Sequence, residues 1–218
     1  MVLLELLKAS LAKFSIKSDV KFSQVTLEVQ REDWLQVAKI LRDDKALKFD
    51  TLIDVCGVDY LHYGLSEWAS SSVATNGYSR ARSDLPNQVR EPRFASVYHL
   101  LSTSENHRLR IVIALSSDQL FIDSACSIWP VANWFEREAY DLYGIVYEGH
   151  PDLRRILTDY GFIGHPLRKD FPLSGQVEIG YDASKQGCVY RPVDIQPRVT
   201  VAKVIRNDER YNPNGTES

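Results

Sequence analysis

Cysteine is scarce in this 218-residue chain, and its placement excludes several chemistries. Cys56, Cys126 and Cys188 lie far apart and form no CxxC pair, so neither a disulfide framework nor a thiolate metal site is indicated. Reduced, buried or half-buried thiols in a cytosolic setting are expected. Long apolar runs are missing too, with nothing near the about 18 residues of a membrane span. The opening MVLLELLKASLAKF is interrupted by Glu5 and Lys8, and no basic segment precedes it. Leu3, Leu4, Leu7 and Leu11 fall on one helical face, so an amphipathic helix is expected rather than a signal peptide, in a chain that does not insert itself into a membrane. A net charge of -3 argues against general nucleic-acid binding, although a local basic patch is compatible with it. There is no P-loop, GxGxxG, GxSxG elbow or HExxH, and no cysteine has a histidine nearby in sequence. Glu136, Glu138, Asp141, His150, Asp152 and His165 could in principle ligate metal. A helix-borne di-iron site, however, wants Glu-x-x-His, and Glu138 is followed three residues on by Asp141.

What remains is the composition of a soluble globular protein, 44% hydrophobic and 25% charged. The pattern predicts a helix over 1–14 and a strand at VTLEVQ (25–30). A second helix follows through WLQVAKILRDD, capped by Asp33, with Trp34, Val37, Ala38 and Leu41 on one face. FDTLIDVCGVDYL (49–61) reads as a central strand. RFASVYHLLST (93–103) and RLRIVIALS (108–116), joined by the polar SENH, read as a hairpin. The expected class is α+β, a small mixed sheet with helices on one face. The first domain spans 1–144, with 63–92 as a long surface-loop insertion; after Gly144 prolines and glycines recur and an extended arm (145–218) is expected. In that arm only Leu153 to Tyr160 could hold helical turns. Its Tyr, Phe, Ile, Leu and Arg content is that of a segment ordered by contact with its own domain or with a partner, rather than that of a disordered tail.

Within WPVANWFEREAYDLYGI, Asn133 is a candidate N-cap with Glu136 returning the bond, and Gly144 a candidate C-cap. Phe135, Ala139 and Leu142 form an apolar face, while Glu138 and Asp141 share another. The segment GHPDLRRILTDYGFIGHPLRKDFPLSG then repeats itself. Gly149-His150-Pro151 precedes Arg154-Arg155, and Gly164-His165-Pro166 precedes Arg168-Lys169 and Asp170. Such residues could line a catalytic pocket, cradle an anion or dock a neighbouring protein; a tight bend is the simplest reading of each Gly-His-Pro. The acidic helix followed by basic pairs could lock to itself or to partners.

The run from Glu136-Arg137-Glu138 through Asp141 and Gly144, then Gly149 to Gly175, and on through YDASKQGCVYRPVDIQPR, closely resembles the signature of the 30 kDa subunit family of the respiratory NADH–quinone oxidoreductase, complex I. The match is dense from about 134 to 198; the N-terminal part fits by element order, and the 63–92 insertion departs from the shortest members. The resemblance implies a non-catalytic structural member of the peripheral arm of this proton-pumping translocase, supporting electron transfer from NADH to quinone. It also implies no cofactor in this chain, with FMN and iron–sulfur clusters in partner subunits. The implied partners are the large quinone-site subunit and the small terminal-cluster subunit, on the cytoplasmic face of the bacterial inner membrane. Glu136, Arg137, Glu138, Asp141, Gly144, Gly149, His150, Pro151, Arg154, Arg155, Gly164, His165, Pro166, Arg168, Lys169 and Asp170 become interface residues. The equivalent subunit of a related membrane-bound hydrogenase is the alternative. A free-standing hydrolase using Glu136, Glu138, Asp141 and His150 or His165 is a further one.

Overall fold

The computed structural model describes residues 2–61, 63 and 90–195. They fall into two compact units, one formed by Met1–Leu61 with Glu91–Phe171 and the other by His62–Arg90 with Pro172–Ser218. Most of the expected 63–92 insertion and the last residues of the arm lie outside the described residues.

The first unit is built on one five-stranded sheet. Its strands are β1 (Lys17–Lys21), β2 (Gln24–Glu28), β3 (Thr51–Asp59), β4 (Phe94–Ser102) and β5 (His107–Leu115), in the order β1-β2-β5-β4-β3. Only β2 and β5 run parallel; the other neighbours are antiparallel, so the sheet is mixed as expected. On β4 and β5 the apolar positions Tyr98, Leu100, Ile111 and Ile113 are fully buried, and polar residues alternate on β5. Helices α1 (Val2–Ser10) and α2 (Trp34–Asp43) supply Leu7, Trp34, Val37, Ala38 and Leu41 to the same core. The Trp34 indole lies 4.1 Å from the Tyr98 ring, which fixes α2 over the middle of the sheet.

One sequence expectation changes here, and one strand is new. β3 is not central: it ends the hydrogen-bonded order. Its apolar run comes from burying Leu52, Val55 and Gly57 on one face while Cys56 and Val58 stay half-buried on the other. β1 had no sequence signal, because KSDVK is exposed throughout and contributes backbone pairing to β2 rather than apolar burial.

Helix α3 (Ala132–Tyr143) sits between two short parallel strands, β6 (Phe121–Asp123) and β7 (Val146–Glu148). It packs on the helix-bearing face of the sheet. The Tyr143 ring fills the space above Gly57, where an added Cβ would meet it at 2.5 Å. The compact unit then continues to Phe171, so the boundary expected after Gly144 falls inside it. The second unit contains a hairpin, β8 (Val177–Asp182) with β9 (Gly187–Pro192), in a segment expected to be extended arm. Cys188 on this hairpin is exposed rather than buried or half-buried; Cys56 and Cys126 are intermediate, and all three are free.

Candidate docking site around helix α3

Helix α3 starts at Ala132, one residue before the expected cap, and no side chain caps it. Glu136 is turned inward instead. Its carboxylate is fully buried and accepts from the Ser124 hydroxyl at 2.6 Å and the Ala125 amide at 2.7 Å. The Cys126 thiol adds a contact at 3.4 Å. Burial pushes the Glu136 carboxyl up to about 7, against the lowering effect of these hydrogen bonds. Glu136 therefore fastens the segment between β6 and α3 instead of returning a bond to Asn133.

Asp141 is equally buried but electrostatically opposite. Its Oδ2 accepts from the amides of Ile156, Leu157 and Thr158 at 3.0, 2.7 and 2.9 Å. Its Oδ1 accepts from the Thr158 hydroxyl and, at 3.0 Å, from Arg155 Nη1. Burial alone would raise this carboxyl; the Thr158 hydroxyl and the three amides outweigh it and hold it at about 2. Three consecutive amides aimed at one oxygen form an anion-binding nest, here filled by the chain's own aspartate. This explains why Leu153 to Tyr160 has no helix: amides that would have started one are turned to Asp141. Glu138, three residues earlier, is exposed, so the two carboxylates do not share a face as expected. The buried side of α3 carries Glu136, Arg137 and Asp141 beside Ala132 and Ala139. Phe135 and Leu142, expected on the apolar face, are half-buried.

The two Gly-His-Pro bends grip the two ends of α3. His150 receives the Asp152 amide on Nδ1 at 3.0 Å, so its Nε2 carries the proton and donates to the Asn133 carbonyl at 3.1 Å. His165 donates from Nδ1 to the Asp141 carbonyl at 2.9 Å. The rest of the second repeat completes a C-terminal cap. The Gly144 amide bonds Tyr140 O at 2.8 Å, the Leu167 amide bonds Leu142 O at 3.2 Å, and Arg168 Nε bonds Tyr143 O at 2.7 Å. All four carbonyls of the last turn, which a helix leaves without internal partners, are satisfied. Gly144 takes the left-handed conformation expected of it, at φ +78.

The basic pairs divide. Arg155 binds Asp141 and also donates to the Gly164 carbonyl at 2.9 Å. Arg168 lies over the Phe94 ring at 5.1 Å while capping α3. Arg137, nearly buried, donates to the Arg154 carbonyl and sits over Trp134. Arg154 and Lys169 have exposed side chains; Arg154 pairs with Asp152 at 2.9 Å. The Lys169 amide and the Arg93 guanidinium both reach Asp59, and Arg93 also meets Asp170 at 3.0 Å. Pro151 and Pro166 occupy turns beside their histidines. Sequence reasoning missed Asp59, Arg93, Ser124 and Thr158, since nothing local marks a residue whose partner lies on another element.

Among the described residues, the carboxylates and His150 of the hydrolase alternative are taken up by other partners or by solvent. Glu136 faces Ser124, Asp141 is saturated by donors, Glu138 is in solvent, and both nitrogens of His150 are engaged. Outward of this framework stand large apolar side chains, with Leu157, Tyr160, Ile163 and Trp134 exposed. No described helix is long and apolar enough to cross a membrane.

The chain is similar to known proteins over most of its length. The family model for the respiratory-chain NADH dehydrogenase 30 Kd subunit matches residues 27–177. An NADH-quinone oxidoreductase subunit from Legionella pneumophila (strain Corby) is 54% identical over 212 residues, covering 96% of this chain and 93% of its own. The protein of the same name from Coxiella burnetii (strain Dugway 5J108-111) is 54% identical over 198 residues, covering 89% and 87%. That from Hydrogenovibrio crunogenus is 50% identical over 200 residues, covering 88% and 89%. Among solved structures, the trypsin-resistant fragment (1-134) of Nqo5 is 29% identical with a TM-score of 0.51, covering 70% of this chain and all of the fragment. A chain of the archaeal membrane-bound sulfane sulfur reductase shares the fold at 19% identity and a TM-score of 0.55, over 79% of this chain and 87% of its own. With its signature helix wrapped by its own doubled bend, the chain belongs to the respiratory-chain NADH dehydrogenase 30 kDa subunit family.

Proposed function

We propose that this subunit of NADH–quinone oxidoreductase is a non-catalytic scaffold of the peripheral arm, packing against the large quinone-site subunit and the small terminal-cluster subunit. It carries no redox cofactor of its own; FMN and iron–sulfur clusters belong to its partners. It sits on the cytoplasmic side of the bacterial inner membrane, held there by the complex. One observation carries the reading. Glu136, Arg137, Asp141, Arg155 and Arg168 of the signature are engaged inside the fold, and the surface they rigidify presents apolar groups outward, with Tyr160 98% and Ile163 79% exposed. Exposed apolar clusters rimmed by charge mark protein interfaces. Arg154 and Lys169 supply the charged rim.

The test separates assembly from chemistry. Tyr160→Ser with Ile163→Ser, and separately Arg154→Ala, should lower the amount of assembled complex on native gels. Turnover per assembled complex should stay near wild type. Normal assembly with collapsed quinone reduction would overturn the scaffold reading.

A further inference from the structure

The free end of the five-stranded sheet brings together three side chains that the sequence keeps apart. Asp54 and Cys56 stand two residues apart on β3, so the pleat turns them to one face. The antiparallel register sets His99 of β4 opposite Asp54. A carboxylate oxygen, the thiol sulfur and an imidazole nitrogen from these residues all lie within 4.8 Å of one another. Asp54 Oδ2 and His99 Nδ1 are already 3.8 Å apart, with side chains 41% and 38% exposed, so a solvent ion can reach them. The register shifts between Leu52 and Asp54, immediately before the first of the three. Bulges of this kind re-aim side chains and are enriched beside sites.

The geometry points to a site for one divalent cation of the zinc class, held by Asp54, Cys56 and His99, with a fourth position left for water or for a side chain of a neighbouring protein in the complex. One sulfur, one nitrogen and one oxygen are the donors a borderline-soft tetrahedral ion takes, whereas magnesium and calcium select oxygen. Bond lengths of about 2.0–2.3 Å to zinc put its ligand atoms roughly 3.3–3.8 Å apart, so small side-chain rotations close the site. Binding exchanges the thiol proton, which leaves to solvent, for the metal–sulfur bond. Arg110, across from His99 on β5, carries a positive charge that opposes the ion, and its Nε donates to the Thr26 hydroxyl of β2 at 3.1 Å. Zinc is redox-inert, so such an ion would clip the sheet's end strand to its neighbour without joining electron transfer. No ligand spacing announced it, because β3 and β4 are joined through residues 60–93. Ligand atoms of Cys126, Glu136 and His150 also lie within 4.8 Å of one another. The carboxylate and both imidazole nitrogens of this second cluster already have partners, and it serves as an internal control.

Tag-free full chain is titrated with cobalt(II) under a non-thiol reductant, following the thiolate-to-metal charge-transfer band, and the cobalt is then displaced with zinc. One equivalent should bind with a thiolate band that zinc removes. Cys56→Ser should abolish the band, and His99→Gln and Asp54→Asn should each weaken binding at least about tenfold. Cys126→Ser and Cys188→Ser should change nothing. Circular dichroism checks that each variant is folded, and if Cys56→Ser is not, the two half-exposed variants decide alone. Absence of one-equivalent binding, a band that survives Cys56→Ser or is lost in Cys126→Ser, or unchanged affinity in both His99→Gln and Asp54→Asn would overturn the site.

Discussion

Two carboxyl groups five residues apart on one helix titrate in opposite directions, because one is buried among many donors and the other among few. Asp141 is held at about 2, below its ordinary 3.8, so its stabilising effect is full above about 4 and disappears as the pH falls toward 2. Glu136 is lifted from 4.5 to about 7, so between those values the folded chain holds a proton that the unfolded chain has released. Stability therefore declines as the pH rises through that window. Glu136→Gln removes the titration while keeping a carbonyl acceptor for Ala125. Chemical denaturation should show a flatter stability profile between pH 4.5 and 7 than wild type; an unchanged slope would mean that Glu136 is ionised throughout. Asp141→Asn should behave differently. It strands Arg155 and turns one acceptor into a donor facing amides, at a cost of about 3 kcal/mol at neutral pH. The same denaturation series, read against Asp141→Asn, measures that loss.

At the scale of elements, the C-terminus of α3 shows how a signature glycine works. Gly144 and Gly149 have nearly the same backbone conformation, φ +78 and +76, yet different surroundings. A Cβ on Gly144 would come 2.5 Å from Arg168 Nη2 and 2.6 Å from His165 Nε2, the groups that cap the helix. A Cβ on Gly149 would meet nothing within 4 Å. Gly149→Ala should cost about 1–2 kcal/mol, the left-handed penalty alone. Gly144→Ala should cost more, because the cap must shift as well, and equal losses in denaturation midpoints would show that the cap is slack. Gly144 was legible in the sequence because a helix stop is a local signal, as were the apolar stripe of α2 and the alternation in β5. The inward turn of Glu136 was not, since local capping rules offered it a partner three residues away and the actual partners, Ser124 and Ala125, lie before the helix. The helical turns that Leu153 to Tyr160 could have held are absent for the same reason: the amides there are claimed by Asp141 from a different element. β3 read as central because its apolar and β-branched residues run on through the half-buried face, as they do in a strand with neighbours on both sides.

Over the whole molecule, the two Gly-His-Pro bends keep the segment after α3 within the first compact unit as far as Phe171. From Gly149 to Phe171 the backbone is tied to α3 and β3 through His150, the amides of Ile156 to Thr158, His165, Leu167, Arg168 and Lys169. The β8–β9 hairpin differs. Val177, Ile179 and Tyr181 alternate on one face with Tyr190 opposite Ile179, all exposed, and a lone two-stranded hairpin is marginal in water. Trypsin separates the two cases, because both segments carry cleavable bonds. Lys185 lies in the hairpin turn, while Arg155 and Arg168 are held by Asp141 and the Tyr143 carbonyl. In the isolated chain, cleavage after Lys185 should precede cleavage after Arg155 or Arg168, and mass spectrometry of a time course reads the order. Asp141→Asn should speed the cuts at Arg155 and Arg168 and leave the cut at Lys185 unchanged, since only the first two depend on the nest. Within the assembled complex the Lys185 bond should become protected as well, if the apolar face of the hairpin is covered there. Cleavage after Arg155 as early as after Lys185 would show that the doubled bend does not hold without its partners, and that its order belongs to the complex rather than to helix α3.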